Sequence, residues 1–295
     1  MAAGSLLLIS APTALAQPGQ AYGPKDEEAQ GGFDGEVAVL ATYAKRAREL
    51  ASDYDRSGLG ARATLGYEIP AGSTTLRLEA GAETDKYTTS YRAEAEVRQE
   101  LGKSVTLSLG ASGTKHAIVL ESLDSDQAAV RAGVKIASGN TTVEAYARHR
   151  WRKYNDLTGG TGQGWQGGAR LRQRFGPYHW LELGGNREHI DDNGGRHGFS
   201  RTTLSADYSH PITRRLRALA GLDYRAWTYD GRWIADNPAN PKRHDRLIRP
   251  EVGLSWGKTK GAYVRATAGY DFYRSNDSRY SGDGPRLRLI TGFRF

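Results

Sequence analysis

From Glu36 to Phe295 the residue type switches at almost every step, apolar then polar, and this period of two constrains the fold more tightly than any motif. In the last run Leu287, Leu289, Thr291, Phe293 and Phe295 share one phase, while Arg286, Arg288, Ile290, Gly292 and Arg294 share the other. The run before it sets Val264, Ala266, Ala268, Tyr270 and Phe272 against Tyr263, Arg265, Thr267, Gly269 and Asp271. Leu216, Ala218, Ala220, Leu222 and Tyr224 oppose Arg215, Arg217, Leu219, Gly221 and Asp223 in the same way, and Leu76, Leu78, Ala80 and Ala82 oppose Arg77, Glu79, Gly81 and Glu83. Successive side chains of a strand point to opposite faces, so each run predicts a strand with one apolar and one polar face.

A soluble sandwich alternates too, so other features must decide what the apolar face meets. Charge recurs at every second position along whole runs, as in Arg92, Glu94, Glu96, Arg98 and Glu100, a pattern that a water-filled or salt-bridged barrel interior accommodates. The opposite faces carry small and medium apolar residues with aromatics toward the ends. Tyr67, Phe175, Trp256 and Phe293 are expected at one membrane interface and Tyr43, Trp151 and Trp165 at the other. The hydrophobic fraction is 38% and the mean hydropathy −0.63, low for a 295-residue chain built around a soluble core. No stretch reaches the ~20 apolar residues of a membrane-spanning helix, so a bilayer would be crossed by strands. The absence of cysteine excludes disulfides, thiolate zinc sites and cysteine nucleophiles.

The N-terminus reads as an export leader. Leu6, Leu7, Leu8 and Ile9 form an apolar stretch, and Ala14-Leu15-Ala16 before Gln17 has the small-x-small pattern of a signal-peptidase site. Residues 1–16 are therefore expected to be a signal peptide, whose missing Lys/Arg region points to a start codon placed too late or to a trimmed sequence. Residues 17–35, without periodicity, are expected to be a flexible lead-in to a barrel over residues 36–295.

Short turns at Pro70–Ser73, Gly102–Ser104, Ser138–Asn140, Gly176–Tyr178, His210–Thr213 and Gly257–Lys260 alternate with longer polar connections. The longer ones are Ser52–Gly58, Thr84–Ser90, Lys115–Asp126, Tyr154–Gly164, Glu188–Gly198, Tyr229–Arg243 and Ser275–Gly284. This asymmetry predicts an all-β, antiparallel transmembrane β-barrel of about 14 strands, with short periplasmic turns and longer extracellular loops. Pro250 departs from the pattern: it lies inside the run Leu247–Trp256, where a proline removes a ladder donor, so the strand is expected to begin later or to bulge there.

With its leader, its alternating runs and a terminal strand ending in Phe295, the chain resembles the Gram-negative outer-membrane β-barrel proteins. In size and strand count it resembles the monomeric 14-strand porins, and more weakly the C-terminal barrel of surface-lipoprotein assembly modifiers, whose preceding helical repeats it lacks. The resemblance implies that Phe293 and Phe295 are read by the barrel-assembly machinery, and that the outer wall meets outer-membrane lipid and lipopolysaccharide.

The residues expected to carry function face the lumen. They are Arg148, Arg150 and Arg152 on one run, Arg170, Arg172 and Arg174 on the next, and Arg215, Arg217, Arg265, Arg286 and Arg288 toward the C-terminus. Planar guanidinium donors suit carboxylate and phosphate, so this basic wall would favour small anions. The alternative is that the arginines pair across strands with Glu144, Glu182, Asp223, Glu251 and Asp271 and hold the wall together. A formal charge of +8 leaves an excess. Nucleic acid is not expected to be the partner, because the basic residues are spread over many strands and not grouped around stacking aromatics.

His197 near Ser200, and Glu188, His189, Asp191 and Asp192 in the same connection, are expected to form a solvated loop and not a hydrolase site. Glu121, Asp124 and Asp126 lack calcium-loop spacing, and no metal, cofactor or enzymatic activity is expected. Two functions stay open: passive passage of hydrophilic, preferably anionic solutes, and a non-conducting barrel that assembles or docks another protein. The connection Tyr229–Arg243 could fold inward for the first or outward for the second.

Overall fold

A computed structural model describes residues 32–44, 58–85, 88–119, 125–154, 160–194, 198–257 and 260–295. The expected signal peptide lies outside the described residues, as does the lead-in before Gly32. Fourteen strands follow one another: β1 Gly32–Ala44, β2 Gly58–Ala71, β3 Thr74–Thr84, β4 Thr88–Leu101, β5 Val105–Val119, β6 Ser125–Ser138 and β7 Thr141–Tyr154 form the first half. β8 Thr161–Gly176, β9 His179–Asp192, β10 Phe199–Pro211, β11 Leu216–Trp233, β12 Lys242–Gly257, β13 Gly261–Ser275 and β14 Gly282–Arg294 form the second. Each pairs antiparallel with its sequence neighbours, and β1 pairs with β14 to close the barrel. The expected architecture is the observed one.

Closure leaves no edge, which is what a β-structure needs where no water can satisfy the backbone. The seam is held inside and out. Glu36 and Arg294 are register partners, and Arg294 Nε donates to Glu36 Oε2 at 2.9 Å while Arg62 Nη2 donates to Glu36 Oε1 at 2.7 Å from the other side. At the end of the ladder, backbone bonds join Gly35 N to Phe295 O (3.2 Å) and Phe295 N to Gly35 O (3.1 Å), and the Phe295 ring lies over Gly35 outside.

The two phases fall where the alternation placed them. Val37, Val39, Leu109, Leu183, Val252, Leu287 and Leu289 are exposed on the outer wall, and so are Phe33, Tyr67, Phe175, Trp256 and Phe293 near the turn end and Tyr43, Trp151 and Trp165 near the loop end. An outer wall of this kind fits lipid, whereas the charged residues face the lumen.

Four departures from the sequence reading have physical causes. β1 begins at Gly32, four residues early, because the ladder with β2 continues to Gly32↔Glu68. At the loop end the strands outrun the apolar pattern: β9 reaches Asp192, β11 reaches Trp233, and β12 starts at Lys242. Hydropathy marks where the apolar band stops, while backbone pairing continues into water. Pro250 neither delays nor bulges β12. Ile248↔Phe272 and Glu251↔Gly269 keep one register on either side of it, and only the pairing of residues 249 and 250 with β13 lapses. Arg215 lies in the turn between β10 and β11, exposed and not on the wall, because β11 starts one residue later.

A Cβ placed on Gly35 would lie 2.5 Å from Phe295 Cζ and 2.8 Å from Thr64 O. Refolded in detergent, the chain should migrate on unheated gels as a compact form that boiling abolishes. Gly35→Val should lower the temperature of that loss, since overpacking costs about 1–3 kcal/mol. An unchanged temperature would remove the seam from this account.

Candidate functional site

The lumenal wall is the candidate site, and its arginines divide into paired and unpaired sets. Between β8 and β9, Arg170 Nε lies 3.0 Å from Glu182 Oε1 and Arg172 Nε donates to Glu182 Oε2 at 2.7 Å. Arg131 Nη2 donates to Glu144 Oε1 at 3.1 Å. Arg174 faces the lumen opposite Trp180. Arg170 and Arg172 thus have a carboxylate partner on the adjacent strand. Asp271 likewise accepts two bonds from Arg249, at 2.6 and 2.9 Å, and Asp223 lies 3.5 Å from Arg225.

Toward the loop end, Glu188 gathers several arginines. Arg150 lies 2.7 Å, Arg201 2.6 Å and Arg152 3.6 Å from its carboxylate, whose side chain is 0% exposed. Arg148 extends the basic side of this cluster and donates to Ser112 at 3.1 Å. On the opposite part of the wall, Arg265, Arg286 and Arg288 have no carboxylate within 4.0 Å among the described residues, and Glu251 has no basic partner. Arg217 reaches Ser255 Oγ (3.5 Å) and Gly257 O (3.4 Å).

A feature that the sequence reading missed closes part of the loop end. Ile190, Phe199, Trp227, Tyr229, Leu247 and Tyr273 pack together, each 6% exposed or less, on the lumenal side of β9 to β13. They occupy the polar phase: Trp227 and Tyr229 continue the phase of Asp223, and Leu247 that of Asp245. Apolar residues in the charged register were the available signal. Beside them, Arg243 Nη2 donates to Asp245 Oδ2 at 2.6 Å, as does Tyr273 Oη at 2.6 Å, and the Arg243 guanidinium lies 3.7 Å from the Tyr280 ring centre.

The long connection is fastened sideways. Ala235 N donates to Asp277 Oδ2 at 2.9 Å, Arg279 Nη1 to Asp236 Oδ2 at 3.2 Å, and Asn276 Nδ2 to Lys242 O at 2.9 Å. Arg279, which hydrogen-bonds Asp277, holds that carboxyl down to about 2. These bonds tie the β11–β12 connection to the β13–β14 connection.

The histidine group differs from the expected loop. His189 Nδ1 is 2.9 Å from Ser200 Oγ and Nε2 is 3.0 Å from Asp191 Oδ1, and all three belong to strands β9 and β10 on the outer wall. The order matches a nucleophile, base and acid, yet His189 is 51% and Asp191 78% exposed, so water competes for both bonds and the group reads as a solvated pair of strand ends. His197, Glu121 and Asp124 lie outside the described residues. Asp126 is paired with Lys115, and no metal-ligating group of three or more gathers among the described residues.

The geometry has counterparts among solved structures. OmpT of Vibrio cholerae superposes with a TM-score of 0.57 at 9% identity, covering 92% of this chain and 99% of that one. The fold is that of the outer-membrane β-barrels. The outer membrane channel DcaP of Acinetobacter baumannii gives 0.52 at 12% identity, covering 90% and 97%, and OprB of Pseudomonas putida gives 0.50 at 9%, covering 90% and 94%. No family model and no curated protein matches the chain. In such a barrel the turn end is periplasmic and the loop end extracellular.

Removing one partner of a buried charged cluster costs more than a surface pair, about 3–5 kcal/mol. Glu188→Gln, which leaves Arg150, Arg152 and Arg201 without their shared counter-charge, should markedly lower the temperature at which the compact form is lost. The exposed Asp191→Asn should leave it within a degree or two, and equal effects would contradict the buried-cluster assignment.

Proposed function

We propose that the protein is a passive channel of the outer membrane for small hydrophilic solutes, with a preference for anions. The observation that carries this reading is the unpaired positive charge of Arg265, Arg286 and Arg288, on a wall where other arginines have carboxylate partners. Uncompensated charge on a narrow, partly desolvated wall raises the local concentration of counter-ions. A barrel of this many strands is too wide for its own side chains to fill, and Arg77, Arg98, Arg131 and Arg170 on the β3–β8 side are only partly buried. The likeness to a protein described as an outer membrane channel agrees with this reading.

A second reading has its own support. The aromatic cluster at the extracellular end and the fastened β11–β12 connection favour a non-conducting barrel that docks or assembles another protein. In both readings the apolar outer wall meets lipid and lipopolysaccharide, and Phe293 and Phe295 serve as the assembly signal.

Planar bilayers separate the two. The refolded protein should open discrete conductances and show an anion-selective zero-current potential in a salt gradient. Replacing Arg265, Arg286 and Arg288 together with Gln should shift that potential toward cations by more than the same change at Arg170 and Arg172, which share the counter-charge of Glu182. Cation selectivity of the unaltered protein would overturn the anion preference, and absence of conductance would favour the docking barrel.

A further inference from the structure

One ring of lumenal positions crosses β10 to β14 in register: Asp207 opposite Gly221, Gly221 opposite Glu251, Glu251 opposite Gly269, and Gly269 opposite Arg286. One step toward the periplasm on β14 stands Arg288, and one further pairing step brings Arg265 opposite Ile290. Both acids and all three arginines of this region lack an ion pair within 4.0 Å among the described residues, although opposite charges are near. Beyond Asp207 the same ring continues to Glu182, its register partner on β9, which pairs with Arg172, and the next row toward the loops pairs Arg249 with Asp271.

The two glycines explain the separation. Each leaves a gap in the row, so Glu251 has no lumenal side chain beside it on either neighbouring strand. Asp207 leans into the first gap, where its Oδ1 lies 3.2 Å from the position a Gly221 Cβ would take and Glu251 Cβ lies 3.9 Å away from it. Strands are ~4.8 Å apart, so the acidic side and Arg286 are separated by about two strand widths, ~10 Å between backbones. Arg265 Nε and Arg286 Nε are buried without an acceptor. Unsatisfied buried donors of this kind cost free energy that a ligand can recover.

We infer that this recess is a binding site for zwitterionic solutes, with the ammonium between Asp207 and Glu251 and the carboxylate on Arg286, Arg288 and Arg265. The inference rests on the channel reading and narrows its solute class from anions in general to molecules that carry both charges. A simple anion would satisfy the arginines but meet repulsion from two unpaired carboxylates. A simple cation meets the reverse. A small amino acid or dipeptide has both groups at a spacing that flexible Arg and Glu side chains can bridge.

The test is ligand-observed saturation-transfer NMR of the full chain in nanodiscs, with glycylglycine, the anion N-acetylglycine and the cation glycinamide as probes. Glycylglycine should bind at least about tenfold more tightly than either singly charged probe, the factor expected for one added charged hydrogen-bond contact of about 1.4 kcal/mol. Asp207→Asn with Glu251→Gln should abolish that advantage while leaving N-acetylglycine bound as well as before or better. Arg286→Gln with Arg288→Gln should abolish binding of glycylglycine and N-acetylglycine together while glycinamide, which has no carboxylate for them, binds as well as before or better. A misfolded variant would lose every probe, so the opposite responses of the two double variants keep folding apart from recognition. Equal binding of glycylglycine and N-acetylglycine by the unaltered protein would overturn the inference, as would a double variant on either side without effect. Liposome swelling in glycylglycine tests the channel reading separately: binding without swelling leaves the site and removes the channel, and swelling without binding does the reverse.

Discussion

The pairing of β1 with β14 is the interaction on which the rest of the structure depends. An open sheet would expose a row of donors and acceptors to hydrocarbon at several kcal/mol per group, so the apolar outer wall is tenable only once the ring is closed. Closure is enforced at three depths of the wall. Backbone bonds join Gly35 and Phe295 at the chain end, the Glu36 carboxylate is held between Arg62 and Arg294 in the lumen, and the Phe295 ring lies over Gly35 outside. The last residue of the chain thus completes the ladder that its first described strand begins.

Closure also sorts charge. Every second residue is forced inward, and a barrel this wide must hold those side chains apart or bridge them with one another. Over much of the wall the answer is bridging, through Glu36, Glu144, Glu182, Glu188 and Asp271. In one quadrant, where Gly221 and Gly269 interrupt the row, charges of both signs remain unbridged. At the extracellular end the same inward phase carries aromatics that pack into a small core. The lumen is therefore uneven: lined by paired charge on β2 to β8, partly filled above β9 to β13, and recessed below that filling.

Much of this was legible before the structure. The strand phases follow from spacing alone, and each lumenal residue named on a strand lies where its phase put it. Arg215 departs from its expected place because a phase cannot say where a strand starts, and Pro250 because a missing donor costs a bond without shifting the register. The loop-end extensions of β9 and β11 were hidden because water hides the hydropathy signal while leaving backbone pairing intact. Partners such as Arg201 for Glu188 lie on adjacent strands, but which of several nearby arginines a carboxylate takes depends on side-chain reach that spacing does not encode. The lumenal aromatics were visible in principle, since Trp227 and Leu247 sit in a charged register, yet alternation trains attention on the face that is apolar throughout.

The account stands on a wall whose inward phase meets water and whose outward phase meets lipid. The chain has no cysteine, so single cysteines can be placed along β14 at residues 286 to 289 without background. In reconstituted liposomes, a membrane-impermeant, water-soluble maleimide should label cysteines replacing Arg286 and Arg288 and spare those replacing Leu287 and Leu289. Labelling of neither phase would show a lumen closed to small solutes, and labelling of the Leu287 and Leu289 positions instead would contradict the assignment of the two faces.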